Sequence, residues 1–289
     1  MATQEQISQL CRKAAEMRAH IVAMMGAGKA HHFGGSLSAA DLVTALYFYK
    51  MRYNPRNPRW PERDRFIMSK GHSVPAQYAA LAMIGVLPLE ELASLKRLGG
   101  RLQGHPAMHL TPGLEGCTGA LGEGLSYANG MALAGRILGQ SYRVYCLVGD
   151  GEQQEGQIWE AAMTASKHRL DNVVVLIDRN RLKAMDAADC SKTMDPMATR
   201  WSSFGWAVRE IDGHDMAAIC QALDWTDTQR GQPSAIVANT IKGKGVSFIE
   251  GQAAFHNGPL TEEQLQLALA ETQSACQWVG HSCPAAEAL

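Results

Sequence analysis

Four polar residues stand where runs of apolar sequence stop. His72 follows the run at 65–69, Asp150 the run at 143–148, Asn180 the run at 173–177, and Lys242 the run at 234–239. In an open parallel sheet, ligands bind beyond the carboxyl ends of the strands. Asp150 and Asn180 offer two hard oxygen atoms from neighbouring strand ends. That donor set suits Mg²⁺, which takes one or two such protein oxygens and completes its shell with phosphate oxygens and water. Gly149-Asp150-Gly151-Glu152 lies just before a helical pattern. Its glycines allow phosphate to approach the backbone, and helix N-termini attract anions. These residues together imply a Mg²⁺–diphosphate site. Gly-Asp-Gly alone also reads as a tight strand-to-helix turn. Asn180, 30 residues further on, adds the second oxygen ligand.

The elements that must hold these residues are written in the periodicity. Thr3-x-x-Gln6 is a capping box, and Ile7, Leu10, Ala14, Met17 and Ile21 recur at helical spacing, which predicts a helix over 4–25. A Gly/His-rich loop at 26–36 follows, and Ser38 is expected to cap a helix through Asp41, Leu42, Leu46 and Tyr49. A short buried strand is expected at 65–69 and a helix at 77–84. A glycine-rich stretch, 113–124, precedes a helix at 125–138. Strands at 143–148 and 173–177 flank a helix at 157–168, a βαβ unit of the kind that builds parallel sheets. A further strand at 234–239 and a last helix after the capping box Thr261-x-x-Gln264 complete the pattern, with an irregular tail after about 278. No internal repeat or linker interrupts it. Residues 1–289 are expected to form one α/β domain, a doubly wound, mostly parallel sheet with helices on both faces.

Composition narrows the function classes. With 27 Lys+Arg, 28 Asp+Glu and no block of like charge, nothing recommends a nucleic acid or a membrane surface as partner. The seven cysteines form no C-x-x-C pair, which is expected of reduced thiols in the cytoplasm. His281 and Cys283 lack further ligands at metal spacing and are read as tail residues. The N-terminus lacks the basic and apolar regions of a signal peptide, and the apolar runs are too short to span a bilayer.

The order of motifs carries a family resemblance. Gly149-Asp150-Gly151 with Asn180 is similar to the thiamine-diphosphate fingerprint. Around it stand Gly34-Gly35-Ser36-Leu37-Ser38-Ala39-Ala40-Asp41, Ser69-Lys70-Gly71-His72, Gly104-His105-Pro106 and Thr118-Gly119-Ala120-Leu121-Gly122-Glu123-Gly124. Glu152 to Ala162, Asp212-Gly213-His214-Asp215 and Lys242-Gly243-Lys244-Gly245 continue the series. This series resembles the transketolases over nearly the whole chain. The resemblance implies thiamine diphosphate and Mg²⁺ as cofactors, with Asp150, Asn180 and the Leu182 carbonyl holding the metal. It implies that Gly151, His72 and His256 face the diphosphate and that Gly119 and Leu121 lie against the aminopyrimidine. His32, His105 and His256 would line the sugar channel, and Glu155 would join a buried carboxylate network across a subunit interface.

The plainer readings stand beside these. His20, His109, His168 and His281 match no motif and are read as structural or exposed, and His214 as a loop-holding residue. Glu155 and Glu160 read equally as a solvated acidic helix face, and Lys242 and Lys244 either as exposed bases or as a loop closing over phosphate. His31 stands where the family has glycine, so either His31 or His32 could face the site. Phe255-His256-Asn257 and 183–186 also depart from the family pattern. The resemblance further implies a split enzyme, because the glutamate that activates the cofactor belongs to a different domain of the family. A C-terminal-type partner subunit carrying the pyrimidine-binding domain, a heterotetramer with two copies of each chain, and sugar phosphate substrates follow from it. Other readings are a deoxyxylulose-phosphate synthase-like or E1-like component, or a non-catalytic cofactor-binding relic.

Overall fold

The computed structural model describes residues 1–182 and 195–278. Helix α1 spans Gln4–Met25 and begins with the expected capping box between Thr3 and Gln6. Short helices α2 (Phe33–Ser38) and α3 (Ala40–Ala45) follow, the latter running into a wide turn at Leu46–Lys50. Strand β1 (Arg65–Met68) leads through a tight turn, Gly71–Ser73, into α4 (Val74–Met83). Beyond a turn at Leu89–Ser94 come α5 (Gly124–Ile137), β2 (Val144–Gly149), α6 (Gly156–Lys167) and β3 (Val173–Arg179). The remaining elements are α7 (Met197–Ser203), β4 (Ala207–Asp212), α8 (Met216–Thr226), β5 (Ser234–Asn239) and α9 (Glu262–Trp278).

The five strands pair in the order β1-β2-β3-β5-β4, and every pairing is parallel. Side chains on a strand alternate between faces, so the strands feed two cores. Phe66, Met68, Tyr145, Leu147, Val174, Leu176 and Ile236 join the core beneath α1, α3, α4 and α8. Ile67, Cys146, Val148, Val175, Ile177 and Val237 join the core beneath α5, α6 and α7. Strands covered on both faces read as unbroken apolar runs, and β2 and β3 are buried at every residue. The doubly wound sheet expected from sequence is present.

Ser38 does not cap the second helix. Helix α2 already starts at Phe33, so the loop ends at His32, and the Ser38 hydroxyl turns inward to Asp178 Oδ2 at 2.6 Å. A buried carboxylate is the stronger acceptor, and it takes the hydroxyl away from the helix end. Helix α4 starts at Val74, three residues earlier than expected, with Pro75 in its first turn. Proline suits that position because its missing N–H has no partner there. The tail after 278, with His281 and Cys283, lies outside the described residues, as do 183–186.

Candidate active site

The carboxyl ends of β1, β2, β3 and β5 bring the sequence-predicted polar residues to one place. Asp150 leaves β2, Asn180 leaves β3, His72 sits in the turn after β1, and Lys242 follows β5. A cavity of about 280 Å³ opens there, lined by His72, Leu121, Asp150, Gly151, Asn180, Leu182, Lys242 and His256 together with Gly35, Lys70, Gly149 and Glu152.

Asp150 is 4% exposed. Its carboxylate accepts the Gly151 N–H at 2.7 Å and the Arg181 N–H at 2.5 Å. Among the described residues it has no ion-pair partner. Burial, with the Asp178 charge nearby, pushes its pKa up to about 6. A buried carboxylate left in that state favours a cation beside it. The neighbouring donors are an amide oxygen and a peptide carbonyl, all hard ligands. Among the described residues no cluster of three or more His, Cys, Asp or Glu forms a metal cage. The donor set therefore fits a Mg²⁺ ion that shares its shell with phosphate and water.

Asn180 is held by its own amide nitrogen, which donates to Asp178 Oδ2 at 3.0 Å. That bond fixes which end of the amide is the oxygen. Asp178 is fully buried and receives bonds from four directions: Ser38, Lys70, Thr240 and Asn180. Burial alone would raise its pKa, but the Lys70 ammonium and these bonds outweigh burial and hold it below the usual carboxylate value. Glu152 is the other buried carboxylate, 3% exposed. It accepts Ser69 Oγ at 2.5 Å and the N–H groups of Gly122 and Gly149, each at 2.9 Å. It therefore ties the glycine-rich stretch at 113–124 to the end of β2. Sequence reasoning missed Ser38, Lys70, Glu152, Asp178 and Thr240 as parts of the site. Several lie inside the matched motifs, but their contacts join strands far apart in sequence.

The histidines gather above this floor. His32 lies 5.0 Å from His72 and 5.4 Å from His256, ring centre to ring centre, and His72 lies 5.2 Å from His256. His105 stands 6.2 Å from His32 on the outer side and is exposed. His31 turns away. It is 2% exposed, bridges to Gly258 through its backbone and sets its ring against Phe33. Burial and then the Lys96 charge lower His32 to about 4, while burial and then Lys242 lower His256 to about 3. His72 falls well below the usual histidine value for the same first reason, with Lys70 next. All of these imidazoles are neutral at pH 7.

Lys242 is buried. Its ammonium donates to the Leu182 carbonyl at 2.9 Å and to His256 Nδ1 at 2.8 Å. Lys244 stays near the surface beside Glu250. Gly119 has φ 144°, and a Cβ there would come within 2.7 Å of the His105 ring, so only glycine permits this approach. Leu121 is 38% exposed at the edge of the cavity. Glu155 is exposed on the isolated chain and immediately precedes α6. His214 links Asp41 to the Ile241 N–H, at 2.7 and 2.8 Å, and so anchors the loop that carries Lys242.

The family profile described as the thiamine diphosphate-binding domain of transketolase matches residues 11–277. The chain belongs to the transketolase family. It is 46% identical over 242 residues to the 6-deoxy-6-sulfo-D-fructose transketolase subunit SqwG of Clostridium sp. (strain MSTE9), covering 84% of this chain and 88% of that protein. It is 42% identical over 266 residues to an apulose-4-phosphate transketolase subunit of Phocaeicola vulgatus, covering 92% of this chain and 94% of that one. Among solved structures, transketolase from Campylobacter jejuni superposes with a TM-score of 0.84 at 30% identity, over 94% of this chain but 45% of that chain. This transketolase-family chain thus spans nearly the whole of some relatives and less than half of others.

Proposed function

We propose that this chain is the diphosphate-binding subunit of a two-chain transketolase that moves a two-carbon ketol unit from a ketose to an aldose. The observation that carries the reading is Asp150. It is a buried carboxylate with no ion-pair partner among the described residues, beside hard oxygen donors and under a group of neutral histidines. Asp150, Asn180 and the Leu182 carbonyl would hold Mg²⁺. Gly151, His72, Lys242 and His256 would meet the diphosphate, with Gly119 and Leu121 against the aminopyrimidine. Bound thiamine diphosphate supplies the electron sink for breaking the sugar's C–C bond. His32, His105 and His256 would exchange protons with sugar hydroxyls, which neutral imidazoles can accept at pH 7.

The two-chain reading rests on the subunit-type relatives, which this chain covers over 88% and 94% of their lengths. Residues 1–289 would form one domain, with Glu155 meeting the partner's pyrimidine-binding domain in a heterotetramer of two copies each. The names of those relatives specify a sulfo-sugar and a sugar phosphate. A ketose with an anionic end is the donor class that both share, and it is the class proposed here. The compartment would be the cytoplasm. No described helix is long and apolar enough to cross a membrane. Isothermal titration of the purified chain with thiamine diphosphate tests the cofactor site. Binding that requires Mg²⁺ supports the reading, and binding indifferent to Mg²⁺ and to Asp150→Ala overturns it.

A further inference from the structure

The loop before α2 and the loop before Pro106 carry two neighbouring histidines, His32 and His105, and share one side chain. Lys96 lies in the second loop, and its ammonium donates to the Ala30 carbonyl in the first at 2.9 Å. Its backbone is left-handed, with φ 55°, which is uncommon for a side chain of this size. That turn is closed by a bond from the Lys96 N–H to the Leu102 carbonyl at 2.9 Å. Gly104, next to His105, has room for the lysine stem because it lacks a Cβ. A Cβ there would come within 2.7 Å of Lys96 Cε. Behind it, the Tyr78 hydroxyl on α4 donates to the Gln103 carbonyl at 3.0 Å, fixing the loop to the core. Among the described residues Lys96 pairs with no carboxylate.

We propose that Lys96 is a positioning residue of the sugar channel, fastening the His32 loop to the His105 loop so that the two imidazoles move as one unit. The tether crosses 66 residues of sequence, from one loop directly to the other. Its charge adds a second effect. Burial comes first, but the Lys96 ammonium then opposes protonation of His31, His32 and His105 alike. The other groups facing His32 are His31, His105 and Lys242, with the His72 and His256 rings beside it. Lys96 thus couples geometry to protonation, since the same ammonium that holds the loop adds to burial in disfavouring the protonated form of both rings.

The channel role rests on the transketolase reading above, so the test is made first on the full chain without turnover. Histidine ring titrations by NMR and backbone hydrogen exchange are compared for the native chain, Lys96→Met and Lys96→Arg. In Lys96→Met the acid midpoints of His32 and His105 shift upward while that of His256 stays put. Exchange over 29–32 speeds up by about fivefold, the loss of one hydrogen bond. Lys96→Arg keeps the charge and restores both midpoints. Unchanged midpoints and unchanged exchange in Lys96→Met overturn the proposal, whatever the enzyme turns over. With a catalytically competent partner, Lys96→Met then lowers kcat, moves the acid limb of the pH profile upward and leaves cofactor affinity intact. An unmoved acid limb there contradicts the coupling.

Discussion

At the residue scale, the proposed site divides into groups that would hold charge and groups that would move protons. Asp150 belongs to the first. Removing its carboxylate should weaken Mg²⁺-dependent thiamine diphosphate retention by more than about tenfold, read by titration calorimetry. Retention equal to the native chain would remove Asp150 from the metal site. His105 belongs to the second. In the partnered enzyme, His105→Ala should lower kcat by about a hundredfold while cofactor affinity changes little. The histidines also set a pH dependence of folding. His32 and His256 titrate near 4 and 3 in the folded chain, below the free value of 6.5. Between those values the unfolded chain binds more protons, so stability falls as pH drops from 6.5 toward 4. Urea midpoints at pH 7.5 and pH 5 should show the lower value at pH 5 without a change in slope. Asp150, raised to about 6, works in the opposite direction over part of this range, so equal midpoints would mean that the histidine contribution does not exceed it.

At the element scale, legibility followed burial on both faces. The runs at 143–148, 173–177 and 234–239 read as strands because each has an unbroken apolar centre, and they became β2, β3 and β5 within a residue or two. Strand β4 went unread because Ala207–Asp212 is an edge strand whose Arg209, Glu210 and Asp212 are exposed. It has neither the unbroken apolar run of a central strand nor strict alternation. Helices α7 and α8, which flank it, went unread with it. The choice between His31 and His32 was hidden for another reason. It depends on a backbone bridge between His31 and Gly258, a contact that local pattern does not encode. The Asp178 hub was hidden in the same way, since its partners come from four separate segments. Its stability consequences are large. Lys70→Met leaves Asp178 charged, buried and without its cation, and should cost about 3–5 kcal/mol. Ser38→Ala removes one bond to the same carboxylate and should cost about 1.5–3 kcal/mol. Urea denaturation reads both, and equal costs would mean that the hub does not discriminate charge from hydrogen bonding.

At the scale of the whole molecule, one parallel sheet delivers Asp150, Asn180, Lys242 and the histidines, the groups proposed to meet metal, diphosphate and sugar, to a single edge. Leu121, at the mouth of the cavity, and Glu155, beside Gly122, are exposed on the isolated chain. The proposed partner would supply the cofactor-activating carboxylate there. The central claim is that this chain transfers ketol units only in company. The most direct measurement is ketol transfer by the chain purified from its host with its co-purifying protein, set against each component alone. The account predicts a co-purifying pyrimidine-binding subunit, with transfer from an anionic ketose by the pair and none from either chain by itself. A well-folded chain that transfers ketol units alone would contradict it, and so would a cofactor-loaded pair that transfers none.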